Sequence, residues 1–112
     1  MIERYYAHKK IKYYEIANNL QPLVLIHAQG VDGKSYAKVA KRLSKKFHVY
    51  SLDCYGHGGS GHDPADYNIK SISEAVIDFI GQVIQSKVWL VGHSSGGLIA
   101  AFIAARQTFA IS

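Results

Sequence analysis

A serine flanked by glycines, set between two apolar segments, constrains the fold of this chain more than any other feature. The pentapeptide G-H-S-S-G at residues 92–96 follows the apolar run Val88–Val91 and precedes the apolar segment Leu98–Ala105. The pattern predicts a strand that turns into a helix within a few residues, which forces the central side chain outward. The flanking glycines lack the Cβ atoms that would collide in such a turn. Ser94 is therefore predicted to expose a nucleophilic hydroxyl beside a helix N-terminus, which favours developing negative charge.

Length and composition fit one globular domain. The chain has 112 residues, of which 48% are hydrophobic and 19% are charged, as in ordinary globular proteins. No apolar stretch approaches the roughly 20 residues that span a bilayer, so no membrane span is expected. The N-terminal residues have no signal-peptide pattern, and the single cysteine, Cys54, permits no internal disulfide. We therefore expect a cytoplasmic protein.

The basic residues are concentrated in the first half of the chain. Residues 1–46 hold ten Lys and Arg against three acidic residues, whereas residues 47–112 hold three against five. Six of the ten lie between Lys34 and Lys46, on a predicted helix whose other face is apolar. Such a pattern is more typical of a solvated helix face than of a nucleic-acid surface. No nucleic-acid partner is expected.

Strand-like and helix-like segments alternate along the sequence. Predicted strands cover residues 2–6, 12–16, 22–26, 47–52 and 88–91, and predicted helices cover 35–46, 72–84 and 98–105. Ser71 and Glu74 fit a capping box at the start of the second helix. The third helix is apolar all round, which predicts that it is buried. This alternation indicates an α/β fold with a mostly parallel sheet covered by helices.

Three polar loops follow the predicted strands in a recognisable order. They are the H-A-Q-G loop at 27–30, the D-C-Y-G-H-G-G-S loop at 53–60 and the serine turn at 92–96. Together they resemble the α/β-hydrolase superfamily over essentially the whole chain, although Ala28 replaces a glycine usual in the family. The resemblance implies a partial α/β-hydrolase fold with helices on both faces and the later strands missing. Residues 1–112 would then be the N-terminal part of a single domain.

The resemblance also implies roles for individual residues. Ser94 would be the nucleophile that forms an acyl-enzyme with a small-molecule ester or related acyl substrate. The backbone N–H groups of Ser95 and Gln29 would form the oxyanion hole. His93 adjoins the nucleophile, but neighbouring residues on a sharp turn point apart, so no proton transfer is expected from it. No cofactor is implied, and the histidines lack the spacing of metal ligands.

Two phosphate-binding patterns offer alternatives to this interpretation. The segment from Ala28 to Gly33-Lys34-Ser35 approximates a P-loop between a strand and a helix, but the strict pattern requires glycine at its first position. Asp53, at the end of an apolar strand, would then imitate a magnesium-binding aspartate. The G-x-G-x-x-G match at residues 56–61 opens no helix, so it is a weak indication of dinucleotide binding.

The sequence after the predicted nucleophile lacks the rest of a catalytic triad. A serine nucleophile needs a base and an orienting acid, which follow it in the order Ser, Asp or Glu, His in this superfamily. No Asp, Glu or His follows Ser94. We therefore expect either a fragment of a hydrolase or a non-catalytic binding module. In both cases Val88–Val91 would leave an open sheet edge, to be covered by self-association or by a complementary C-terminal segment.

Overall fold

Five strands and three α-helices make up the part of the chain that the structure describes. The structure is a computed structural model and describes residues 2–6, 11–27, 36–53, 68–93 and 95–106. The elements are β1 (Ile2–Tyr6), β2 (Ile11–Ile16), β3 (Gln21–Ile26), α1 (Ala37–Leu43), β4 (Phe47–Asp53), α2 (Ile69–Phe79), β5 (Trp89–Gly92) and α3 (Ser95–Arg106). All five predicted strands are confirmed, with bounds that differ by at most one residue.

The strands form one mixed sheet in the order β1-β2-β4-β3-β5. β2 pairs antiparallel with both β1 and β4, while β3 pairs parallel with both β4 and β5. Within the parallel part, Ile26 of β3 is aligned with Leu52 of β4 on one side and with Gly92 of β5 on the other. The carboxyl ends of β3, β4 and β5 therefore lie side by side. The predicted site residues follow these strand ends in the sequence.

Helices cover both faces of the sheet, as the α/β interpretation predicts. Alternate residues of β3 point to opposite faces. Leu23 and Leu25 pack with Ala40 of α1 in a small core, whereas Val24 and Ile26 belong to a larger core on the other face. That larger core takes its buried helical residues from α2 and the turn after it and from α3: Ile72, Val76, Phe79, Ile80, Ile99 and Ile103.

Phe79 lies at the centre of an aromatic cluster in the larger core. Its side chain is fully buried, and its ring makes edge contacts with the rings of Tyr13, Tyr6 and Tyr50 at centroid distances of 4.8, 5.8 and 5.9 Å. The Tyr6 hydroxyl donates a hydrogen bond to Asp78 Oδ2 at 2.6 Å, and this bond raises the pKa of Tyr6 to about 12. The cluster joins the antiparallel strands β1 and β2 to the end of α2.

The start of α2 differs from the prediction. The capping box at Ser71 is wrong, because the helix begins at Ile69 and Asn68 is its N-cap. The Asn68 side chain accepts a hydrogen bond from the backbone N–H of Ser71 at 2.8 Å. Asparagine caps a helix as well as serine does, and the earlier cap lengthens the helix by almost one turn.

The end of α2 is also unusual. The helix continues into a π-helical turn, Ile80–Ile84, and Gln85 follows in the left-handed region with φ of 58°. The Gln85 N–H donates to the carbonyl of Ile80 at 2.8 Å. This bond ends the helix at a residue that is not glycine and leads the chain towards β5.

The β5 side of the molecule is less covered than the sequence suggests. The expectation that the third helix is buried all round is wrong: Ile99 and Ile103 of α3 are buried, but Leu98 is 61% exposed. In the described part of the sheet, β5 pairs with β3 alone and is an open edge, as predicted. Among the described residues, no helix combines the length and the apolar character needed to cross a membrane.

Truncation of Phe79 tests the aromatic cluster. Replacing this buried ring by alanine removes three edge contacts and leaves a cavity, so we expect Phe79→Ala to lower the free energy of unfolding by about 3 to 5 kcal/mol. Chemical denaturation measures the change, with Val39→Ala as the control because Val39 is 46% exposed on α1. A loss for Phe79→Ala no larger than that of the control would contradict this description of the core.

Candidate active site

A two-residue connection between β5 and α3 forms the candidate active site. β5 ends at Gly92 and α3 begins at Ser95, so only His93 and Ser94 lie between them. The His93 N–H donates to the carbonyl of Ile26 at 3.1 Å, and the His93 carbonyl accepts from the N–H of Gly96 at 2.9 Å. These bonds fix the turn to the end of β3 and to the first turn of α3. The predicted change from strand to helix is confirmed.

The two glycines of the motif allow the backbones to approach each other closely. A Cβ atom on Gly92 would lie 2.7 Å from the backbone nitrogen of Gly97, and one on Gly96 would lie 2.6 Å from the carbonyl oxygen of His27. Both distances are shorter than a Cβ atom tolerates. By contrast, a Cβ atom on Gly97 would be 3.6 Å from its nearest neighbour. Glycine is therefore required at 92 and 96 but not at 97.

The side chain of His93 contacts the residue that precedes α1. Its Nδ1 atom is 2.9 Å from the hydroxyl of Tyr36, and the two rings meet edge to face with centroids 6.1 Å apart. The His93 ring is exposed overall. Its Nδ1 atom is engaged by Tyr36. The absence of a proton-transfer role for His93 stays a prediction.

Two polar residues at the ends of neighbouring strands are buried at the same edge of the sheet. His27 directly follows β3 and is 2% exposed, and Asp53 ends β4 and is fully buried. Each takes part in at least one hydrogen bond, ion pair, ring contact or electrostatic interaction. Buried polar groups in folded proteins nearly always have such partners.

Several predicted site residues lie outside the described part of the chain. They include the nucleophile Ser94, the oxyanion residue Gln29, and Lys34 and Ser35 of the alternative P-loop. Ser95 is the first residue of α3, and the first N–H groups of a helix have no partner within it. The nucleophile and both oxyanion donors remain predictions. No group of three or more metal-ligating side chains occurs among the residues the structure describes.

The fold and the turn agree with a comparison against known families. The model of the alpha/beta hydrolase family matches residues 23–112, which include all three polar loops. The chain belongs to the α/β-hydrolase family. This membership does not support the alternative P-loop interpretation, because the three polar loops lie within the region that matches the α/β-hydrolase family.

Curated α/β-hydrolases from bacteria are among the relatives. An (E)-2-((N-methylformamido)methylene)succinate hydrolase of Acinetobacter baylyi is 38% identical over 79 residues, which are 70% of this chain and 30% of that protein. A pimeloyl-[acyl-carrier protein] methyl ester esterase of Vibrio cholerae is 30% identical over 100 residues, 89% of this chain and 37% of that esterase. The chain thus spans about a third of the length of these relatives.

A solved structure gives the same result for the fold. An esterase from a marine microorganism superposes with a TM-score of 0.86 at 26% identity, over 92% of this chain and 39% of that esterase. The described strands and helices of this chain therefore follow the α/β-hydrolase arrangement. The α/β-hydrolase fold places its nucleophile at the turn between such a strand and helix.

A pair of glycine substitutions tests the close approach at the turn. The Cβ atom of Gly96→Ala would overlap backbone oxygen, so we expect this variant to lose about 2 kcal/mol or more of unfolding free energy. Gly97→Ala is the matched control one residue further along the same helix. It should be neutral or stabilising by up to about 1 kcal/mol, because alanine favours helix over glycine. Equal effects of the two substitutions in chemical denaturation would contradict the packing described for Gly96.

Proposed function

We propose that the chain carries the nucleophile of a serine hydrolase that acts on an ester or related acyl substrate through an acyl-enzyme on Ser94. The observation that carries this proposal is the turn between β5 and α3. Bonds from His93 to Ile26 and Gly96 leave Ser94 as the single residue between the tethered His93 and the first residue of α3. In the α/β-hydrolase fold a turn of this kind exposes its central serine hydroxyl, which supports the role proposed for Ser94.

The proposed reaction proceeds in two stages. In the first, Ser94 Oγ attacks the carbonyl carbon, its proton passes to a base, and the alcohol leaves as the acyl-enzyme forms. In the second, water attacks the acyl carbon and releases the acid. The backbone N–H groups of Ser95 and Gln29 would stabilise the oxyanion in both stages, each contributing about 3 kcal/mol. The position of Ser95 at the start of α3 supports its part in this proposal.

The base and the orienting acid come from residues outside these 112 in our proposal. No Asp, Glu or His follows Ser94 in the sequence, and the matched relatives are about three times as long as the matched region. The chain would then be the N-terminal part of a single α/β-hydrolase domain. An ester is the substrate class that the names of the Vibrio cholerae and marine relatives support.

A fluorophosphonate probe and intact mass test the role of Ser94. In a protein that carries these residues together with the segment supplying the base, we expect one adduct per chain, mapped to Ser94. Ser94→Ala should remove the adduct, whereas Ser86→Ala, which changes an exposed serine before β5, should retain it. The 112 residues alone should react at least about a hundredfold more slowly, because they lack the base. Undiminished labelling of Ser94→Ala would refute the proposal.

The open edge of the sheet supports a second candidate function, that of a binding module. β5 pairs with β3 alone among the described strands, and Trp89 and Val91 on this strand are each 40% exposed. Exposed apolar side chains on an unpaired strand favour pairing with another chain. In this proposal a second copy, or a complementary C-terminal segment, adds its backbone to β5.

Charge placed on the open edge tests this second candidate. We expect Val91→Lys to weaken self-association of the chain by at least about tenfold, since it puts an unpaired charge into the contact. Val39→Lys adds the same charge at a similarly exposed position on α1 and should have little effect. Sedimentation at several protein concentrations measures the association constant. A monomeric parent chain would exclude self-association, and equal effects of both lysines would exclude β5 as the contact.

A further inference from the structure

Tyr36 and His93 connect two parts of the molecule that are far apart in sequence. Tyr36 immediately precedes α1, and His93 immediately follows β5. Their contact, Tyr36 hydroxyl to His93 Nδ1 at 2.9 Å, spans 57 positions in the sequence. Tyr36 is half-buried against the small core beneath α1, so the ring that carries the hydroxyl is held in place. The hydroxyl therefore presents a fixed partner to the histidine.

Three contacts converge on His93, from β3, from α3 and from the residue before α1. Its N–H is bonded to Ile26 at the end of β3, its carbonyl to the N–H of Gly96 in α3, and its ring to Tyr36. The first two contacts hold the backbone on either side of the Cα atom. The third holds the side chain towards α1, which packs on the opposite face of the sheet from α3.

We propose that Tyr36 is a positioning residue, which fixes His93 by donating a hydrogen bond to its Nδ1 atom and thereby sets the orientation of Ser94. This inference rests on the proposed function for its effect on the reaction. The peptide bond between His93 and Ser94 is planar, so the conformation of His93 determines the plane from which Ser94 continues. A side chain locked by a supporting hydrogen bond holds the adjoining nucleophile within the narrow range that attack requires.

In this proposal the Tyr36 hydroxyl is the donor and His93 Nδ1 is the acceptor. A neutral imidazole has one donor and one acceptor nitrogen, and a phenol hydroxyl readily donates. With the Tyr36 proton directed at Nδ1, the imidazole proton resides on Nε2. The bond then takes up the Nδ1 lone pair, so the ring offers no free acceptor nitrogen.

Amide exchange in the chain itself tests the positioning role without any requirement for activity. Tyr36→Phe removes only the hydroxyl, and we expect the N–H groups of His93 and Gly96 to exchange about three to ten times faster. The N–H of Gln85, bonded to Ile80 in the distant π-helical turn, is the internal reference and should not change. Tyr5→Phe, at a half-exposed tyrosine of β1, is the matched control and should leave all three rates unchanged.

The nitrogen resonances of the His93 ring provide a signature that general destabilisation does not mimic. We expect Nδ1 to resonate as an unprotonated, hydrogen-bonded nitrogen in the parent chain and to shift in Tyr36→Phe. In a His93→Asn background, where the side-chain amide stands near the position of Nδ1, Tyr36→Phe should still accelerate backbone N–H exchange. In a His93→Phe background, Tyr36→Phe should leave the exchange rates unchanged. A protonated Nδ1, or equal acceleration of the Gln85 reference, would overturn the proposal.

The effect on the nucleophile separates this inference from the proposed function. Where the parent protein is labelled at Ser94 by a fluorophosphonate, Tyr36→Phe should reduce the labelling rate at least about threefold. An unchanged rate beside faster amide exchange would overturn the link to Ser94. Failure of the parent to label would refute the serine mechanism and, with it, the effect on the reaction, while the exchange and nitrogen measurements would still decide the contact itself.

Discussion

The close approach of the first turn of α3 to the carboxyl ends of β3 and β5 is the constraint on which the rest of this structure depends. It requires residues without a Cβ atom at positions 92 and 96, because a Cβ atom at either one would overlap a neighbouring main chain. Because the backbones meet there, His93 can bond at once to Ile26 and to Gly96. The sharp turn that would present a nucleophile is therefore a consequence of packing between a helix and two parallel strands.

The two cores on the faces of the sheet supply the rigid frame for that turn. The larger core, built from β2, β3, β4, α2 and α3, holds α3 against the strands through Ile99 and Ile103. Tyr36 packs against the smaller core under α1, and its hydroxyl contacts Nδ1 of His93. The candidate site thus has support from both faces, although its residues lie at one edge. Rigid elements position reactive groups more accurately than loops do.

The sequence predicted the strands well, because buried parallel strands read as continuous apolar runs and glycine marks the turn. It placed the start of α2 wrongly, since Asn68 and Ser71 are both good N-cap residues and the helix begins after the earlier one. It also predicted that α3 is buried all round, whereas the described elements cover only the side with Ile99 and Ile103 and leave Leu98 exposed. The contact between Tyr36 and His93 was not predictable, because no local pattern links residues 57 positions apart.

Trapping of the acyl-enzyme is the most direct test of the central claim, that the turn between β5 and α3 presents a nucleophilic serine. The protein carrying these residues and its base is mixed with an activated ester, quenched in acid within the first turnover, digested and mapped by mass. We expect an acyl group on Ser94 that disappears as hydrolysis proceeds. Ester turnover with Ser94 unmodified, or with the acyl group on Cys54, would contradict it.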